Sequence, residues 1–267
     1  MKLGFMQGRL VEPKVSEIQE FPIDDWEREI NLARRINIRL IEWVIDKNSL
    51  NINPIYTSAQ HVKGLLKSCE VDLESISDDF FLQEDRSEII NNNIADHLEL
   101  SFNTAVDIGV KLYILPLLEK TSLKKFNSTE RVNILKKIEK LVPPNLKICL
   151  ETDLDHKKLN DLFSEIDTRK FKINYDIGNS GYEGFNYLDE FDNYFELIEN
   201  IHIKDRLFKG ISVPLGKGDA KVFQVLEEIK LRGYKNNLIL QAARQHGVND
   251  LEVVNDYYKS VKETLEI

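Results

Sequence analysis

Eight short apolar runs, most of them separated by longer stretches with apolar residues at helical spacing, constrain this chain more than any other feature. The runs are Leu3–Met6, Ile38–Val44, Val71–Ile76, Lys111–Leu115, Lys147–Leu150, Phe171–Tyr175, Ile201–Ile203 and Leu238–Leu240. A continuous run, rather than an alternating one, marks a strand buried on both faces, and such strands belong to parallel sheets covered by helices. Helical spacing is clear over Trp26–Arg35, Ile94–Ile108, Val132–Leu141, Leu188–Ile198, Val222–Leu231 and Leu251–Leu265. Strand starts recur every 25 to 40 residues or so, roughly the length of a βα unit. Eight units predict an α/β chain folded as a (β/α)8 barrel, one domain over residues 1–267. An open doubly wound sheet is the runner-up, but it wants a GxGxxG turn after an early strand, and the sequence has none.

Composition narrows the class of partner. Apolar residues make up 42% and charged residues 30%, which suits a globular chain. The net charge of −9 argues against nucleic acid and against an anionic membrane, since phosphate contacts need a clustered positive field. The start of the chain, MKLGFMQGRL, is broken by Gln7, Gly8 and Arg9 and does not read as a signal peptide. No apolar run approaches the roughly 20 residues that span a bilayer. Cys69 and Cys149 lie far apart in apolar runs and read as buried thiols of a reducing compartment. The expected location is the cytoplasm, with small molecules as partners.

In such barrels the active site is built at the C-terminal ends of the strands, so the polar residues closing each run carry the information. Gln7 and Arg9 follow run one, Glu42 and Trp43 lie in run two, and Ser77-Asp78-Asp79 closes run three. Glu151, Asp176 with Asn179, His202 with Lys204, and Gln241 with Arg244 close runs five to eight. Glu151, Asp176 and His202 make a mixed oxygen and nitrogen set suited to Mn2+, Mg2+, Co2+ or Zn2+, to which Gln241 could add an amide oxygen. Any one strand-end carboxylate is equally explained as the cap of the next helix. Three such groups on successive strands point instead to one shared cation.

The remaining strand-end residues have two readings each. His202 and Lys204 stand two apart in a strand and face the same way, so Lys204 would hold a substrate oxygen or move a proton, unless it pairs with a carboxylate. Arg9 and Arg244 become neighbours when a barrel closes and suit a substrate carboxylate or phosphate, or else surface salt bridges. Glu42 and Asp79 could bind substrate hydroxyls. Trp43 reads as core rather than a sugar-stacking face, and Asp205 as a cap or structural partner. The glycines of Val213–Asp219 either let backbone approach a ligand or shape a turn. His61, His97, His156 and His246 are expected to face solvent and are assigned no role.

The motifs MQGRL, IEW, SISDDFF, LET, YDIGN, HIKDR, PLGKGD and LQAAR, taken in order over residues 3–244, resemble the xylose isomerase-like TIM-barrel superfamily, in its sugar-phosphate isomerase/epimerase branch. The resemblance implies one divalent metal ion at the top of the barrel, held by Glu, Asp, His and Glu from strands five to eight. Carried over, those positions are Glu151, Asp176, His202 and Gln241. Gln241 departs from the Glu of the epimerases resembling tagatose 3-epimerase. Asn179, at a substrate-contacting position, departs from the His that several members carry.

The implied activity is a metal-dependent sugar or sugar-phosphate isomerase or epimerase that abstracts a proton beside a carbonyl, through a metal-stabilised enediolate. Glu151 would be base and ligand, Lys204 a polarising or proton-relay group, and Gln7, Arg9, Glu42, Asp79, Asn179 and Arg244 substrate contacts. Gln241 cannot accept a proton, which disfavours a symmetric two-base epimerase. Aldose–ketose isomerisation, or elimination as in the inosose dehydratases, remains open, as does a non-catalytic sugar-binding relative. A nuclease similar to endonuclease IV would need a His-rich three-zinc cluster, and runs two and three contain no His. Barrels of this superfamily often form dimers or tetramers; the chain itself fixes no homo-oligomer.

Overall fold

The computed structural model describes residues 1–13, 20–83, 94–241, 243–245 and 247–267. Seven parallel strands come first: β1 (Lys2–Met6), β2 (Leu40–Ile45), β3 (Asp72–Asp78), β4 (Leu112–Leu117), β5 (Lys147–Thr152), β6 (Phe171–Asp176) and β7 (Ile198–Ile203). A short antiparallel ribbon follows, β8 (Asp205–Arg206) with β9 (Ser212–Val213). The eighth barrel strand is β10 (Asn237–Leu240), which pairs with both β7 and β1 and closes the sheet in the order β1-β10-β7-β6-β5-β4-β3-β2. With helices outside and a closed parallel sheet inside, this is a (β/α)8 TIM barrel. Among the described residues no helix is long and apolar enough to cross a membrane.

All eight apolar runs are strands. The largest difference lies at β7, which starts at Ile198 rather than Ile201, so the helix expected over Leu188–Ile198 stops at Tyr194 and a 3-10 turn covers Phe195–Leu197. Glu199 and Asn200 hide the start of this strand, because Asn200 is fully buried inside the barrel rather than apolar. The helix expected over Val132–Leu141 runs Ser128–Glu139, opened by a capping box between Asn127 and Glu130. Helical spacing did not reveal Ala59–Cys69, His156–Ser164 or Ile177–Glu183.

Strand side chains alternate between two environments. Outward residues such as Phe5, Ile41, Trp43, Tyr113, Leu150 and Ile201 join the large core between sheet and helices. There Trp43 packs against Phe21 and Trp26 and donates its indole hydrogen to Asn53 Oδ1 at 3.0 Å, so it is core. The inward residues form two small apolar clusters, Met6 with Leu40, Val44 and Ile239, and Leu112 with Ile114 and Cys149. Cys69 and Cys149 are buried free thiols.

The loop after β1 is gripped from two sides. Glu29, on the helix Trp26–Arg35, accepts the amide hydrogens of Gly8 and Leu10, each at 2.9 Å. Arg244, beyond β10, donates to the carbonyls of Gly8 and Val11 and pairs with Asp250.

Burial raises the Glu29 carboxyl to about 7, against the opposing pull of the Gly8 and Leu10 amides. An acid raised in the folded state contributes its stability below the unfolded value of 4.5 and loses it as pH rises through about 7. Denaturation of wild type and Glu29→Gln at about pH 5 and about pH 8 should show the difference moving toward the variant by up to about 3 kcal/mol. A difference that does not change with pH would mean that Glu29 does not titrate in this window.

Candidate active site

A cavity of about 480 Å³ opens at the C-terminal ends of the strands, with Arg9, Asp79, Glu151, Asn179, Lys204 and Gln241 on its walls. Small-molecule sites span roughly 300–1,000 Å³, so the space suits a sugar-sized ligand. Leu82, Pro116, Leu118, Tyr182 and Ile211 add apolar surface to it.

Glu151 lines this cavity, and behind it ligand atoms of Glu151, Asp176 and His202 lie within 4.8 Å of one another, all three residues buried. Alternation puts Asn200, His202 and Lys204 on the inner face as β7 climbs, and the register sets Asp176 beside His202. His202 Nδ1 stands 3.2 Å from Glu151 Oε2 and 3.8 Å from Asp176 Oδ2. The two oxygens of Asp176 divide their roles. Oδ1 caps the helix Ile177–Glu183 by accepting the Asn179 amide hydrogen at 2.8 Å, while Oδ2 faces Lys204 Nζ at 2.6 Å. The cap and the cluster reading of this residue therefore hold together.

Two asparagines hold Glu151. Asn174 Nδ2 donates to Oε2 and Asn179 Nδ2 to Oε1, both at 2.7 Å. Arg206 Nη1 donates to Asn179 Oδ1 at 2.9 Å, and its guanidinium stacks 4.1 Å from the Tyr182 ring centroid. Asn174 and Arg206 were missed as site residues. The period-two offset from Asp176 and the strand-end position of Arg206 were the available signals.

Burial and neighbouring charge set the protonation of this cluster. Burial pulls the His202 pKa down, but Glu42 and Glu151 on either side outweigh it and raise it to about 10. Burial likewise opposes ionisation of Glu151, yet the hydrogen bond and charge of His202, with Lys204 and Asn174, bring it down to about 2. Asp176 is raised by burial, with Lys204 pulling the other way. On β3's side of the mouth, burial pushes Asp79 up to about 7, although Ser77 Oγ donates to its Oδ1 at 2.9 Å. Burial, helped by the charge of Arg244, lowers Arg9 to about 10.

Several expected positions are corrected. Glu42 does not reach the cavity: it is fully buried beneath His202, with Oε1 2.6 Å from His202 Nε2. Its mid-strand position on β2 places it one layer below the mouth. Gln7 is also fully buried, its Oε1 accepting the Val44 amide hydrogen at 3.1 Å. Arg244 holds main-chain carbonyls of the loop after β1 instead of facing ligand. His97 does not face solvent. Its side chain is 7% exposed, with Nε2 2.8 Å from Asp78 and the ring stacked on Phe80. His61 is exposed, His156 is half-buried, and His246 lies outside the described residues.

The glycine loop after the ribbon serves structure. Asp205 accepts amide hydrogens from Gly216 at 2.8 Å, Gly218 at 2.9 Å and Ala220 at 3.3 Å. A Cβ on Gly218 would collide with the same carboxylate, which is why a glycine stands there.

The donor set fits a divalent cation. Two carboxylates and an imidazole converge, and Gln241 Oε1, on the same cavity, is buried with no hydrogen-bond donor. Among the described residues no second cluster of three or more His, Cys, Asp or Glu with this spacing occurs.

Residues 30–261 match the family described as xylose isomerase-like TIM barrel. The chain belongs to that family. No curated protein matches it in sequence. Among solved structures it is similar to the IolI protein with a bound zinc atom, at TM-score 0.78 and 16% identity, covering 100% of this chain and 98% of that one. It is also similar to 3-keto-D-glucoside 4-epimerase YcjR from E. coli, at TM-score 0.69 and 14% identity, covering 100% of both chains. A third is the probable 3-DHS dehydratase AsbF from Bacillus anthracis, at TM-score 0.70 and 17% identity, covering 98% and 99%. At such identities the likeness is one of fold.

The Asp205 anchor gives a test. Asp205→Ala leaves three loop amides without their acceptor, a loss of about 1–3 kcal/mol. Amide exchange at Gly216 and Gly218 should accelerate strongly while β5 and β6 stay protected. Unchanged exchange there would show that the loop is held by something else.

Proposed function

We propose that this protein is a divalent-metal-dependent sugar or sugar-phosphate isomerase or epimerase, acting by proton abstraction beside a carbonyl. The observation that carries the reading is the convergence of Glu151, Asp176 and His202 behind the Glu151 wall of the cavity, with the donor-free Gln241 oxygen on the same cavity. These four residues would hold the ion. When bound, it supplies a Lewis acid that polarises a carbonyl and stabilises charge on the adjacent oxygens. Zinc or magnesium named with structures of this fold supports that choice without fixing the ion.

The chain's own groups account for the rest. Glu151 is the base: Asn174 and Asn179 each donate a hydrogen to its carboxylate, which favours the ionised form that a base needs to take a proton. Lys204, on the cavity wall and paired with Asp176, orients a substrate oxygen. Arg9 contributes a positive charge beside Asp79, which suits a hydroxyl-rich or anionic end of the substrate. Asp79, with a pKa near 7, can hold or return a proton on the β3 side. Asn179 keeps Glu151 and Arg206 in register.

Gln241 favours a second reading within the same chemistry. With an amide where a second base would stand, proton transfer is one-sided, which suits aldose–ketose isomerisation or the elimination carried out by dehydratases. A sugar-binding protein without turnover is the third outcome.

The experiment is metal analysis of the purified protein, followed by solvent-proton exchange in heavy water against a panel of ketoses, aldoses, keto-inositols and their phosphates. About one divalent ion per chain and exchange of a single carbon-bound proton are expected. Glu151→Gln should cut exchange at least about a thousandfold, as loss of an essential proton acceptor does, with its fold intact. Metal binding without exchange on any substrate would favour the binding protein. No metal binding would end the proposal.

A further inference from the structure

Beneath the mouth, the barrel carries a polar layer where inward positions are ordinarily filled by Val, Ile and Leu. Glu42 on β2, Ser75 on β3, Asn174 on β6 and Asn200 on β7 meet there, none more than 2% exposed. Glu42 is the hub. Its Oε1 lies 2.6 Å from His202 Nε2, while Oε2 accepts from Ser75 Oγ at 2.7 Å and Asn200 Nδ2 at 3.0 Å. Asn200 also donates to Asn174 Oδ1 at 2.8 Å, and Asn174 in turn reaches Glu151. The mechanism makes no use of this carboxylate, which touches neither cavity nor substrate.

We propose that Glu42 is a positioning residue that makes Nδ1 the metal-facing nitrogen of His202. This inference rests on the metal-site reading above. A ligating imidazole nitrogen carries no hydrogen, so a neutral ring keeps its single hydrogen on the other nitrogen. Glu42 Oε1 receives that hydrogen from Nε2, and Nδ1 is left bare on the side of Glu151 and Asp176, where Asn174 Nδ2, a donor only, stands 3.1 Å from it.

The arrangement cannot be inverted cheaply. Asn200 presents a hydrogen to Oε2 and cannot turn round without withdrawing its hydrogen from Asn174 Oδ1. The far atom of residue 42 therefore has to be an acceptor. In Glu42→Gln one position must become NH2. Facing Asn200, it opposes another donor. Facing His202, it donates to Nε2 and drives the ring hydrogen onto Nδ1, the ligand atom.

Zinc, being diamagnetic, allows both affinity and tautomer to be read. Zn2+ affinity by chelator competition should fall about tenfold to a hundredfold in Glu42→Gln. Ser75→Ala, which removes a donor but keeps the carboxylate, should stay within a few-fold of wild type. Long-range 15N spectra of zinc-loaded wild type, with His202 assigned by its loss in His202→Gln, should show hydrogen on Nε2 and zinc on Nδ1. That spectrum needs no folded Glu42 variant. Hydrogen on Nδ1 in loaded wild type, equal affinities for wild type and Glu42→Gln, or an equal loss in Ser75→Ala would each overturn the role of Glu42 alone. Wild type that takes up no Zn2+, Mn2+ or Co2+ would overturn the metal-site reading and this role with it.

Discussion

An imidazole held between two carboxylates, inside a closed sheet, is the constraint from which the upper half of this barrel follows. His202 has Glu42 on one nitrogen and Glu151 near the other. Neither carboxylate could stand in an aliphatic interior alone, since an isolated buried charge is too costly. Each is therefore supplied with donors: Ser75 and Asn200 for Glu42, Asn174 and Asn179 for Glu151. Asn174 and Asn200 replace aliphatic residues for this reason, and the apolar filling of the lumen retreats into two small clusters. The layer is a connected network rather than a scatter of polar atoms, and connection is what makes such a layer tolerable.

The walls of the mouth depend on loops fastened by single side chains. Glu29 takes amide hydrogens from the loop that carries Arg9, and Arg244 supplies hydrogens to its carbonyls. Arg9 is thus presented by main chain that is held on both its donor and its acceptor side. Lys204 and Asp176 divide a pair of charges at the cluster, while Asp79 keeps its distance on the β3 side with Ser77 as its donor. A cavity built this way has one strongly ionic end, and the apolar residues Leu82, Leu118 and Ile211 belong to the same wall.

The fold was legible because strands buried on both faces are written as unbroken apolar runs, and all eight were found. Where the interior is polar that signal fails, which is why Asn200 concealed the first half of β7. The helix Ile177–Glu183 escaped because Gly178 and Gly181 interrupt its pattern. The convergence of Glu151, Asp176 and His202 could be anticipated from strand ends alone. Depth could not: Glu42 in mid-strand on β2 and Gln7 just past the end of β1 are polar, yet both are fully buried. Direction beyond the strand is equally hidden: the position of Arg244 suits a ligand contact or a salt bridge alike, and the chain turns it onto the neighbouring loop. His97 was lost for a related reason. Asp78 points away from Ser77 and Asp79, to the outside of the sheet, and needs a partner there; Tyr113 and His97 provide it.

Asp205 gathers the amides of Gly216, Gly218 and Ala220 onto one carboxylate, and Asp219 of the same loop accepts from Phe208 in the ribbon turn. Three tethers to one point leave that stretch no independent hinge. The neighbouring ribbon turn leaves its apolar side chains outside, with Phe208 59% and Ile211 72% exposed and Ile211 on the cavity wall. A new side chain at Ile211 would reshape the cavity wall without touching these tethers, whereas Gly218 can gain a side chain only if Asp205 changes too.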